Sequence, residues 1–121
     1  MIYQVIALKD RFPFLGENGK NPNVTLYLPD PMTEMGWDDW KRPCVVICPG
    51  GGYGMCSQRE GEPIAFHFLK EGYNVFVIRY SVAPHRFPTQ LREVAAVMEL
   101  IYENADDWHC DTNRIAILGF S

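Results

Sequence analysis

The chain closes on Gly119-Phe120-Ser121, directly after the apolar run Ile115-Ala116-Ile117-Leu118. Gly-x-Ser behind a strand is the first half of the Gly-x-Ser-x-Gly turn, which lifts a serine hydroxyl above a sheet as a nucleophile. Glycine two places before the serine makes room for so sharp a turn. A second segment, Pro49-Gly50-Gly51-Gly52-Tyr53-Gly54, follows another apolar run, Cys44 to Cys48. With no Cβ in the way, consecutive glycines can aim backbone N–H groups into a cavity. Two such donors, fixed in advance, stabilise negative charge growing on an ester carbonyl oxygen. The chemistry these two segments could share is acyl transfer to a serine.

Three other uses of the glycine loop are open to test. A phosphate-binding P-loop would end in Gly-Lys-Ser/Thr, and no such ending is present. Gly52, Gly54 and Ser57 nearly satisfy dinucleotide spacing, with Arg79 ending the next strand. That motif needs its glycines to open a helix, whereas the next helical stretch starts near Pro63. A tight turn holding no ligand is the third.

The elements that must position these segments read as follows. Tyr3 to Leu8 and Val24 to Leu28 favour strand, and the turn chemistry of GENGKNPN between them predicts an antiparallel hairpin at a sheet edge. A polar connection carries Trp37 and Trp40, read as tacking the loop to the surface or as a binding feature. Cys44 to Cys48, NVFVIRY and RIAIL are continuous apolar runs of the kind buried on both faces of a parallel sheet. Between them, one helix is opened by Pro63 and closed by Gly72, with Ile64, Ala65, Phe68 and Leu69 on one face. A second runs from Thr89 to Asn104, with Leu91, Val94, Ala95, Met98 and Ile101 at helical spacing. Strand and helix in alternation predict an α/β architecture.

Composition narrows the function classes. The 121 residues suffice for one domain, and 47% apolar residues suffice for a core. A net charge of −4 without a basic stripe argues against nucleic acid as the main partner. The N-terminus has neither the basic start nor the apolar run of a secretory signal, and no stretch reaches bilayer-spanning length. Cys44, Cys48, Cys56 and Cys110 lack zinc spacing and read as reduced thiols of a cytoplasmic protein; no metal or cofactor is expected.

Taken in order, PGGGY, RYSVAPHRFP, the helix from Thr89, the turn CDTNRI and the strand into GFS resemble the α/β-hydrolase esterases, in particular the hormone-sensitive-lipase-like and acetyl (acetylxylan) esterase branch. The resemblance covers residues 43–121, with a looser fit over the hairpin. It implies an α/β-hydrolase fold in which Ser121 is the nucleophile and the Gly51 and Gly52 amides form most of the oxyanion hole. It places Tyr53 beside the acyl or alcohol pocket, where a plain packing role is equally open, and gives Ala83, Pro84 and Pro88 a structural part in the loop. Pro49 stands where the family carries a histidine that braces the loop. The PGGGY variant resembles a sub-branch proposed to act on acetylated sugars, implying small acyl groups on an alcohol or carbohydrate.

In this family the carboxylate and then the histidine follow the serine, so both are expected after residue 121. His67 reads as a surface or packing residue, His85 lies near the functional edge, and His109 lies at the far end of the last strand; none fits that order. Asp111 reads as a turn residue. Residues 1–121 are therefore expected to be the N-terminal part of a single domain whose partner is its own C-terminal remainder. Alternative readings are a peptidase on the same fold, a nucleotide-binding module and an interaction domain without catalysis.

Overall fold

The computed structural model describes residues 1–15 and 21–121. Five strands form one sheet in the order β1-β2-β4-β3-β5. They are β1 (Ile2–Ala7), β2 (Asn23–Leu28), β3 (Arg42–Cys48), β4 (Asn74–Arg79) and β5 (Cys110–Gly119). β1 pairs antiparallel with β2, and β2 antiparallel with β4; β4, β3 and β5 run parallel. The expected hairpin sits at the sheet edge, while most of its GENGKNPN turn lies outside the described residues. Leu8, expected as the end of the first strand, instead opens the short helix α1 (Leu8–Arg11) and is fully buried.

The three apolar runs are continuous because both faces of the sheet are covered. On one face Val46, Phe76 and Ile78 pack with Leu8 of α1 and with Val97, Leu100 and Ile101 of α3 (Thr89–Glu103). On the other, Val45, Ile47, Val75 and Val77 pack with Ala65 of α2 (Glu62–Lys70). Neighbours along β3 and β4 thus point into opposite cores, as the two-residue period of a strand requires. Each buried side chain of this size contributes about 1.5–3 kcal/mol by leaving water.

α2 buries the face expected of it, with Ala65 inside and Ile64, Phe68 and Leu69 packed around it. α3 keeps part of its expected face: Ile101 is fully buried and Val94 and Met98 pack against the core, but Ala95 and Leu91, the latter 58% exposed, face outward, and Glu93, Ala96, Val97 and Leu100 are buried in addition. Glu93, fully buried, accepts hydrogen bonds from the Ser81 amide at 2.7 Å and from the Ser81 hydroxyl. That pairing satisfies a buried carboxyl group, which unpaired would cost a few kcal/mol. It also ties the loop after β4 to α3.

Asp111 makes the turn expected of it, accepting the Asn113 amide at 2.9 Å and Arg114 Nε at 2.7 Å. The register between β3 and β5 shifts at this point, beside Pro43, which has no N–H to give the ladder. The Trp37 and Trp40 rings meet at a tilt with centroids 5.4 Å apart, and the Arg42 guanidinium lies 4.7 Å from the Trp40 ring. The same guanidinium donates to the carbonyls of Gly72 and Asp30, so the tryptophan loop is tied to the sheet through Arg42. Among the described residues no helix is long and apolar enough to cross a membrane, and no cluster of His, Cys, Asp and Glu could hold a metal. All four cysteines are free thiols.

Candidate active site

β3 and β5 run parallel and in register up to Cys48 opposite Gly119, so the segments that follow them leave the sheet side by side. The Phe120 amide continues the ladder by donating to the Cys48 carbonyl at 3.2 Å. One step further, the Gly51 amide donates to the Ser121 carbonyl at 3.1 Å. The glycine loop and the terminal serine therefore meet at the carboxyl ends of the parallel strands, where open α/β sheets place their ligands.

Only glycine fits this meeting. A Cβ on Gly50 would lie 2.0 Å from the Ser121 carbonyl oxygen, and one on Gly51 would lie 2.3 Å from the Met55 carbonyl oxygen. Gly51 also takes a φ of 146°, which side chains on an L-residue rarely permit.

Each peptide plane of the loop is pinned by a partner. The Pro49 carbonyl accepts the Tyr80 hydroxyl, and the Gly50 amide donates to Glu60 Oε1 at 3.0 Å. The Gly50 carbonyl shares its plane with the Gly51 N–H and accepts the Ser57 amide at 2.9 Å. The Gly51 carbonyl shares its plane with the Gly52 N–H and accepts the Gly54 amide at 3.0 Å. Both candidate donors are thus oriented from behind. The Gly51 N–H is taken up by the Ser121 carbonyl, while the Gly52 N–H has no hydrogen-bond partner among the described residues.

A cavity of about 760 Å³ opens beside this junction, lined by Gly52, Tyr53 and Ser121 together with His85, Arg86 and Phe87 from the loop after β4. Tyr53 is 61% exposed, at a φ of 60°, with its ring 6.0 Å from that of Tyr80. Its carbonyl accepts the Ala83 amide at 2.6 Å, which joins the glycine loop to the cavity wall. That wall is held from behind: Gln90 Nε2 donates to the carbonyls of Ser81 and His85. Cys48 also lines the cavity, and burial pushes its thiol above the ordinary thiol range, as it does that of Cys56. These thiols are held in their weakly nucleophilic form.

The dinucleotide reading does not survive the loop's path. A separate 3-10 turn, Gln58–Glu60, stands between the glycines and α2, so no helix start faces the cavity from Gly52 or Gly54. Of the histidines, His85 alone shares the cavity with Ser121. His67 is exposed on α2, and His109 precedes β5 at its opposite end.

Residues 27–121 match the sequence profile of the BD-FAE family. The chain belongs to that family. It is 34% identical over 119 residues to endo-1,4-beta-xylanase B of Butyrivibrio fibrisolvens, covering 93% of this chain and 17% of that protein. An α/β hydrolase enzyme from a Medee basin deep-sea metagenome library superposes with a TM-score of 0.86 at 38% identity, covering all of this chain and 47% of that one. The acetyl ester-xyloside bifunctional hydrolase of Caldicellulosiruptor lactoaceticus superposes with a TM-score of 0.83 at 29% identity, covering 98% of this chain and 42% of that one. The fold of this BD-FAE chain is that of the α/β hydrolases. The chain spans less than half the length of each of these relatives.

Sequence reasoning missed three residues of the site: Glu60, Tyr80 and Glu93. Each supports a loop from behind, and no spacing rule pairs Glu60 with Gly50 or Glu93 with Ser81.

Proposed function

We propose that residues 1–121 form the N-terminal part of an α/β-hydrolase domain whose complete form is a serine carboxylesterase. It removes small acyl groups, acetyl foremost, from an alcohol or carbohydrate. The observation that carries this reading is the 3.1 Å approach of the Gly51 amide to Ser121 beside an open cavity. In the proposed reaction Ser121 Oγ attacks the ester carbonyl carbon and its proton passes to a base from the rest of the domain. The carbonyl electrons move onto the oxygen, which the Gly52 amide receives, joined by Gly51 once its bond to the Ser121 carbonyl gives way. The alcohol leaves with the proton, and water then releases the acyl group from the serine. Tyr53 borders the bound ester.

The likeness to an acetyl ester-xyloside hydrolase supports acetyl over longer acyl groups. The outer edge of β5 has no strand partner among the described residues and leaves Ile117 55% exposed, which supports further strands of the same polypeptide pairing there. Four free thiols support a reducing, cytoplasmic setting.

The test uses the polypeptide in which these residues are joined to the rest of the domain. It is expected to hydrolyse p-nitrophenyl acetate and to be labelled by a fluorophosphonate at Ser121, with Ser121→Ala abolishing both. Labelling elsewhere, or activity retained by Ser121→Ala, would overturn the proposal.

A further inference from the structure

We propose that Glu60 is a positioning residue for the oxyanion donors, an inference that rests on the esterase reading above. Its Oε1 accepts the Gly50 amide at 3.0 Å, one residue before the first donor. The contact is not an isolated surface bond. Glu60 sits on the 3-10 turn Gln58–Glu60, its own amide donates to the Ser57 carbonyl at 3.2 Å, and the Ser57 amide donates to the Gly50 carbonyl at 2.9 Å. Gly50 is thereby held at both its N–H and its C=O by one rigid segment, closing residues 50–60 into a ring.

The chemistry of position 49 shows why a side-chain acceptor is needed. A histidine there would brace the loop with its ring, but Pro49 has neither ring nitrogen nor N–H, leaving its carbonyl to Tyr80. Without Glu60, the Pro49–Gly50 peptide would be held on its carbonyl side alone, by Tyr80, and its rocking would pass through the Gly50 Cα to the adjoining plane that carries the Gly51 N–H. Glu60 does not line the cavity, so its effect on the reaction passes through the loop.

The experiment compares Glu60→Ala, Glu60→Asp and Glu60→Gln in the full polypeptide. Alanine removes the acceptor and aspartate withdraws it by one methylene; each is expected to lower kcat for p-nitrophenyl acetate roughly 10- to 100-fold, with KM near wild type. Glutamine keeps Oε1 and is expected to restore most of the rate. Amide hydrogen exchange over residues 50–52, which needs no turnover, is expected to speed up in the alanine and aspartate variants and not in the glutamine variant. Thermal unfolding identifies any variant that fails to fold; if alanine does, aspartate decides. Wild-type kcat and wild-type exchange in either folded variant would overturn the inference. Absence of Ser121 labelling in the wild type would instead remove the esterase reading, leaving the exchange result to decide the role of Glu60.

Discussion

Replacing Gly50 with alanine asks the loop and the serine to occupy the same space. The added Cβ would stand 2.0 Å from the Ser121 carbonyl oxygen, 2.9 Å from its carbon and 2.9 Å from Glu60 Oε1. The Glu60 carboxylate can swing aside, but the backbone of Ser121 cannot move without carrying the hydroxyl with it. A carbon and a carbonyl oxygen settle no closer than about 3.3 Å, so the two segments must part by roughly 1.3 Å. A displacement of about 1 Å at a reacting centre costs on the order of 100-fold in rate, or about 2.7 kcal/mol of barrier. Overpacking is expected to remove about 1–3 kcal/mol of stability as well. The assay is kcat/KM for p-nitrophenyl acetate in the full polypeptide, with the fluorophosphonate labelling rate as a second reading and calorimetric Tm as the folding check. Arg59→Ala is the control: its side chain is exposed and makes no hydrogen bond among the described residues, and activity is expected to persist. A Gly50→Ala polypeptide as fast as wild type would refute the claim that the glycine loop and Ser121 interlock.

Two further outcomes concern the scaffold. Glu93→Ala leaves the buried amide and hydroxyl of Ser81 without an acceptor and is expected to cost about 2–4 kcal/mol in urea unfolding; a loss below about 1 kcal/mol would contradict the clamp. The hydroxyls of Tyr27 and Tyr80 are both pushed up from 10.0 to about 12, chiefly by burial, with the Glu62 charge adding to it at Tyr27. The fold therefore favours their neutral forms. Their contribution is complete below pH 10.0 and is lost as pH climbs from there towards about 12. Tyr27→Phe combined with Tyr80→Phe is expected to flatten that decline in the urea midpoint, and an unchanged slope would contradict it.

What could be read before the structure was whatever rests on period and order. The runs around Val45, Phe76 and Ile117 became strands because apolar continuity over that length leaves few other solutions, and Pro63 and Gly72 bracket α2 closely. The meeting of Gly51 with Ser121 was legible too, since parallel strands deliver their following loops to one end of a sheet. The burial of α3 was legible in part: Ile101, Val94 and Met98 meet the core as their spacing predicts, but Glu93, a carboxylate that periodicity counts as outward-facing, is buried with them. Glu60 and Tyr80 stayed hidden for a related reason: their partners are backbone atoms, which carry no identity in a sequence. The Gly51 amide's bond to the Ser121 carbonyl was likewise out of reach, because it depends on the tilt of one peptide plane.

The ring that closes residues 50–60 changes what kind of variation this stretch can absorb. Gln58 and Arg59 are exposed, and their side chains make no hydrogen bond among the described residues, so almost any substitution there should pass unnoticed. Residue count is another matter. The partners at 54, 57 and 60 work as a ruler, and inserting or deleting a single position would throw every later tie out of step with the glycine it serves. Surface loops ordinarily drift in length and keep their chemistry; this one should drift in chemistry and keep its length.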